Sequence, residues 1–196
     1  MEIVTLPVEA KSLTQYSTVP IRFEVKSELS LELPNGGLGG IVFHEREVIA
    51  PYMKDYDDAE DGAPILWLER FDTSNWALFL AREESTTVGG AAVAFNTPEV
   101  RVPRDREDIS VLWDIRVHPA HRRSGIGAAL LGEAAKWSKE RNCRYLQAET
   151  QNVNVPACRF YVRQGCLLGD IVRFAYRAPQ VAHEVMLVWY LNLASL

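Results

Sequence analysis

The chain has 196 residues, 47% of them apolar and 24% charged, the balance of a soluble globular protein with one sizeable core. A net charge of −5 excludes general affinity for nucleic acid or an anionic membrane, so an anionic ligand must be drawn by a local basic patch. The N-terminus MEIVTLPVEA lacks a basic leader, and the apolar run Val185–Leu191 falls far short of the ~20 residues that span a bilayer. Cys143, Cys158 and Cys166 show no C-x-x-C spacing; together these features predict a cytoplasmic protein with reduced thiols.

Residues 20–33 (PIRFEVKSELSLEL) alternate apolar and polar, as a half-exposed strand does. PNGGLGG at 34–40 breaks it, and a second short strand-like run follows at 41–50. DYDDAED then places five acids in the seven residues from Asp55 to Asp61. Residues 76–82 (WALFLAR) and 88–95 (VGGAAVAF) read as a hairpin, and 96–108, Pro-rich and charged, as a loop. Residues 110–117 (SVLWDIRV) form a strand that Pro119 stops. A helix is predicted over 124–141, with Ile126, Leu130, Ala134 and Trp137 on one face. After a strand at 144–150, a second helix spans 154–164, capped by Asn154, with Pro156 in its first turn and Gly165 at its end. Residues 166–176 and 184–192 are two closing strands, apolar enough to offer a homodimer surface. From residue 76 on, the order β-β-β-α-β-α-β-β predicts a mixed sheet flanked by helices, an α/β (α+β) domain.

The junction HRRSGIGAALL, His121 to Leu131, is the most informative stretch. It is too glycine-poor for a G-x-x-x-x-G-K-[ST] loop. It does set two arginines and two glycines at a helix start, where the first backbone N–H groups have no partner and carry partial positive charge. Gly125 and Gly127 lack a Cβ, so a bulky diphosphate can approach the backbone. Taken alone, R-x-x-G-x-G fits a helix start with solvated arginines equally well.

A second motif lies downstream in NVPACRFY, Asn154 to Tyr161. R-x-x-G-x-G after a strand, followed by N-x-x-A-x-x-F-Y, resembles the GNAT superfamily of acetyl-CoA-dependent N-acetyltransferases. The first motif falls on Arg122, Gly125 and Gly127, the second on Asn154, Ala157, Phe160 and Tyr161. The stretches DIRVHPAHRRSGIGAALL, AETQNVNVPACRFYVRQGC and EVMLVWYLNL are similar to streptothricin acetyltransferases. The resemblance is good over residues 110–192 and weaker in PYMKDYD and NWALFLA. It implies a mixed, mostly antiparallel sheet whose central parallel strands, 110–117 and 144–150, splay apart. Residues 71–196 are expected to form the core, with residues 1–70 as an N-terminal elaboration packed on it.

The resemblance places acetyl-CoA in that splay. The backbone of Ile115, Arg116 and Val117 would pair with the pantetheine arm, and that of Arg122, Arg123, Ser124, Gly125, Ile126, Gly127 and Ala128 would cradle the pyrophosphate. Asn154, Ala157 and Phe160 join the cofactor side. Tyr161 would protonate the leaving thiolate, its alternative being a core aromatic behind Phe160. An amine of pKa ~10.4 must lose a proton before it attacks. Glu149 is the first candidate base, and otherwise a surface residue paired with an arginine. Asp114 is the second, and equally a structural or substrate-orienting carboxylate.

The acceptor implied is a small cationic amine such as a streptothricin. The acidic run would attract it, although charge runs are usually solvated loops. Trp76, Trp113 and Tyr56 would line an amine pocket, although strand aromatics are more often core. His118, His121 and the cysteines have no metal-ligand spacing, so no metal is expected. An enzyme acting on a protein or peptide amine, and a non-catalytic acyl-CoA sensor, are the rival readings.

Overall fold

The computed structural model describes residues 1–59, 62–103 and 106–195. Glu60 and Asp61 of the acidic run, and Arg104 and Asp105 of the expected loop at 96–108, lie outside them. The strands are β1 (Glu2–Leu6), β2 (Phe23–Glu32), β3 (Val42–Lys54), β4 (Ala77–Glu83), β5 (Thr86–Phe95), β6 (Ile109–Val117), β7 (Tyr145–Gln151), β8 (Leu167–Val172) and β9 (Met186–Asn192). The helices are α1 (Ala10–Tyr16), α2 (Trp67–Arg70), α3 (Ile126–Lys139) and α4 (Val155–Arg163). Seven strands form one mostly antiparallel sheet in the order β1-β4-β5-β6-β7-β9-β8, and β2 and β3 form a second sheet of two. The chain forms two compact units, one of residues 1–22, 55–148 and 190–196, the other of residues 23–54 and 149–189.

In the first unit β1, β4, β5 and β6 pair antiparallel in succession, and β6 pairs parallel to β7. That parallel pairing runs from Ile109↔Tyr145 to Leu112↔Ala148 and stops. The following residues of β6 continue on β5, through Asp114↔Ala92 to Val117↔Gly89, after a bulge at Trp113. The two sides of the sheet are read from Gly89 and Gly90. A Cβ on Gly89 would meet Ile126 of α3 at 3.0 Å, and one on Gly90 would meet the Tyr16 ring of α1 at 2.5 Å. Successive strand residues point to opposite faces, so α3 covers one face and α1 the other. An aromatic cluster of Tyr16, Trp67, Phe71 and Trp76, with Trp113 packed against it, fills the α1 side.

β1 escapes sequence reading, and so do two helices of this unit. In α1 only Leu13 and Tyr16 of seven residues are apolar and buried, too few to show a helical period. The helix is secured instead by Ser12, whose Oγ accepts from the Glu9 N–H at 3.1 Å and donates to the Pro7 carbonyl at 2.6 Å. The other is α2, a single turn of WLER.

The second unit holds the long β2–β3 hairpin, α4, β8 and most of β9. Asn152 is its hub. Its side chain donates to the Leu29 carbonyl at 3.0 Å and accepts from the Val185 N–H at 2.8 Å. Its backbone N–H donates to the Val185 carbonyl and its carbonyl accepts from the Leu29 N–H. Lys54 of β3 forms a buried ion pair with Glu184, and Arg159 of α4 pairs with Glu45. The apolar side chains Leu187, Val188, Trp189 and Leu191 of β9 are buried within the chain itself. Asn152→Asp removes the donor to Leu29 and sets a carboxylate oxygen against a carbonyl. It should lower stability by about 2 kcal/mol, read as a fall in the urea midpoint; an unchanged midpoint would contradict the hub role.

Candidate acetyl-transfer site

β6 ends at Val117, a short 3-10 turn follows over Pro119–His121, and α3 begins at Ile126. Arg123 (φ 65°) and Gly125 (φ 91°) lie in left-handed backbone, which swings the chain into the helix. Gly125 is the N-cap and has no side-chain oxygen to satisfy the helix start. Among the described residues, none of the six N–H groups from Arg123 to Ala128 finds a backbone acceptor. A Cβ added at Gly125 would meet nothing within 4 Å. Donors without a backbone acceptor at a helix N-terminus suit a diphosphate.

The arginines divide their work. Arg123 is exposed and extends into solvent. Arg122 braces the loop, donating from Nε to the Val117 carbonyl at 3.1 Å and from Nη2 to the Arg22 carbonyl at 2.8 Å. Ser124 Oγ closes the turn on the His121 carbonyl at 2.5 Å. Ile126 is buried against Gly89, while Gly127 and Ala128 are half-buried.

Asp114 and Arg116 stand two residues apart on the α1 face of β6. The Arg116 side chain is 0% exposed. It grips Asp57 through Nη1 at 2.8 Å and Nη2 at 3.0 Å, and Asp114 through Nη2 at 2.6 Å and Nε at 3.1 Å. It also donates to the Val19 carbonyl at 3.2 Å and lies under the Tyr16 ring, 4.7 Å from its centroid. Tyr16 donates its hydroxyl to Asp114. Burial, and then the Asp114 charge, push the Tyr16 phenol well above the usual tyrosine value, so it stays a donor. Burial opposes the Arg116 charge, yet the Asp114 carboxylate and the hydrogen bonds that Arg116 donates to Asp114 and Asp57 raise its pKa above the usual arginine value.

Within the second unit, Asn154 caps α4 by accepting from the Ala157 N–H at 3.2 Å. Tyr161 is buried, stacked on Trp189 (centroids 6.2 Å, interplanar 27°), with Phe160 edge-on at 5.3 Å. Glu149 is exposed and accepts from the Tyr176 hydroxyl at 3.1 Å; Gln151 in turn donates to that hydroxyl at 2.8 Å.

The profile of the Acetyltransferase (GNAT) family matches residues 43–166, more than half of the chain. The chain belongs to this family. It is an acetyl-CoA-dependent N-acetyltransferase of GNAT type. Streptothricin acetyltransferase A of Bacillus subtilis is 28% identical over 148 residues, 76% of this chain and 78% of that protein. An Escherichia coli streptothricin acetyltransferase is 30% identical over 143 residues, covering 72% and 71% of the two chains. A Bacillus anthracis structure described as a streptothricin acetyltransferase in complex with acetyl coenzyme A covers 98% of both chains, with 25% identity and a TM-score of 0.73.

Within this acetyltransferase the first unit brings together Ile115, Arg116, Val117 and the loop from Arg122 to Ala128, and the second brings together Asn154, Ala157, Phe160 and Tyr161. Trp76 packs into the aromatic core and donates its indole N–H to Thr97 Oγ1 at 2.8 Å. Trp113 packs edge-on to Phe71, and Tyr56 is half-buried beside Asp57. The acidic run is not a freely solvated loop throughout, because Arg116 binds Asp57. Sequence reading missed Tyr16, Asp57 as an individual residue, Asn152 and Tyr176. Only the alternation of Asp114 and Arg116 on one strand face carried any signal of the network.

Burial raises all three thiols of the acetyltransferase, Cys158 to about 12 and Cys166 to about 11, which removes them as nucleophiles at neutral pH. Among the described residues no group of three His, Cys, Asp or Glu side chains is placed to hold a metal ion. No helix among them is long and apolar enough to cross a membrane.

Proposed function

We propose that this acetyltransferase moves an acetyl group to a primary amine of a small cationic molecule, a streptothricin-like antibiotic being the foremost acceptor. The observation that carries the acceptor class is the match, over more than two thirds of both lengths, to proteins named as streptothricin acetyltransferases.

Acetyl-CoA supplies a thioester whose carbonyl carbon accepts the amine. The chain's residues hold and polarise it. The N–H groups from Arg123 to Ala128 take the diphosphate, the Ile115–Val117 backbone aligns the pantetheine arm, and the Val117 N–H is assigned to the carbonyl oxygen where negative charge builds. Glu149 takes the ammonium proton directly or through water, with Tyr176 and Gln151 orienting its carboxylate. Tyr161 gives its phenolic proton to the departing sulfur. The rings of Phe160 and Trp189 hold it in one orientation, as a proton donor requires.

A thiol-release assay with acetyl-CoA tests this against streptothricin, polyamines, aminoglycosides and short peptides. Turnover with streptothricin or another small polyamine is the expected result. Release with peptides alone would overturn the small-molecule reading.

A further inference from the structure

We propose that Arg116 is a positioning residue for the acceptor amine, acting through Asp57. Its guanidinium pins residues 55–58 against the part of β6 that β7 leaves unpaired. The inference rests on the amine reading above and assigns part of its specificity.

Four observations carry it. The first is the face. Arg116 pairs with Gly90, whose missing Cβ faces Tyr16, so Arg116, Asp114 and Asp57 gather on the α1 side of the sheet. Helix α3, whose start offers the diphosphate cradle, covers the opposite side. An acceptor that attacks a thioester held from the α3 side reaches it from the α1 side, past this network.

The second is cost. A guanidinium removed from water loses its hydration, and apolar packing of equal volume would hold a segment as well or better. What a fork adds is orientation: two parallel N–H···O bonds allow a carboxylate one placement. The third is exposure. Arg116 and Asp114 are 0% and 9% exposed at the side chain, but Asp57 keeps 26%. The Asp57 N–H donates to Asp55 Oδ1 at 3.1 Å, which turns the segment back on itself. Clamping Asp57 therefore fixes where Tyr56 and Asp58 stand. The fourth is charge. Two carboxylates share one guanidinium, and the phenol that completes the network stays neutral. A ligand ammonium at the exposed edge of Asp57 balances the group.

The test uses whichever amine the wild-type enzyme turns over best. Asp57→Asn keeps the size of the side chain and removes its charge; Arg116→Lys keeps the charge and removes the fork. Both should raise KM for the amine about tenfold or more, with kcat within about threefold and the acetyl-CoA Kd unchanged by calorimetry. Tyr16→Phe breaks the same network at Asp114, and should lower the melting temperature while leaving the amine KM within about threefold of wild type. Wild-type amine KM in either Asp57→Asn or Arg116→Lys overturns the inference. So does a parallel loss of acetyl-CoA affinity, which would mark general loosening of β6. A wild-type enzyme that releases thiol with no amine overturns the amine reading, and this inference with it.

Discussion

Tyr161→Phe is expected to slow kcat by about 100-fold or more while leaving the acetyl-CoA Kd within about twofold of wild type. The substitution removes one hydroxyl and keeps the ring, so the stack on Trp189 at 6.2 Å and the edge contact with Phe160 at 5.3 Å survive. What the proposed mechanism loses is the proton given to the departing sulfur. General acids contribute about 10²–10⁴-fold, and least where the leaving group needs no proton. The deficit should therefore shrink with an activated thioester whose thiol is more acidic. Wild-type kcat in the variant removes Tyr161 from the chemistry. A deficit of equal size with both donors assigns the loss to packing.

Gly125→Val should weaken acetyl-CoA binding by about 100-fold or more, because two effects act at one residue. The backbone there has φ 91°, a left-handed conformation that a β-branched side chain adopts only at a cost of about 1–3 kcal/mol. The valine also projects into space that holds no protein atom within 4 Å of the Cβ position, the space assigned to the diphosphate. Relaxation to negative φ would relieve the strain by turning the N–H groups of Ile126 and Gly127 away from the ligand. Calorimetry reads the loss, and circular dichroism checks that the remaining turns of α3 are intact. Wild-type affinity in a folded variant would remove the helix start from the cofactor site.

The parts of the fold that sequence reading captured carry a period or a punctuation mark. The hairpin of β4 and β5 is apolar along two runs with a polar turn between them. The start of α4 is marked by Asn154 and Pro156, and the structure puts that asparagine side chain on the Ala157 N–H. The parts that it missed lack such a signal. Helix α1 buries only Leu13, Tyr16 and Ser12. β2 and β3 were readable as strands, yet their alternation is silent about which strand each pairs with. β8 was expected over 166–176 and ends at Val172, because turns occupy the stretch before β9.

The candidate site divides along the same line. Arg122, Gly125 and Gly127 after a strand, and Asn154 to Tyr161 in the next helix, were legible because a loop-to-helix junction depends on residues within a few positions of one another. Backbone handedness at Gly125 and the unpaired N–H groups of the first turn are local consequences of local sequence. The sequence by itself thus determined the family motifs and the glycine-bearing helix start at which the diphosphate is proposed to bind. Only the tertiary structure decided that Arg116 meets Asp57 from 59 residues away and that Tyr16 meets Asp114 from 98. Partners so distant leave no periodicity. They are selected when folding removes a guanidinium from water, and the charged and polar groups on that sheet face must then satisfy one another.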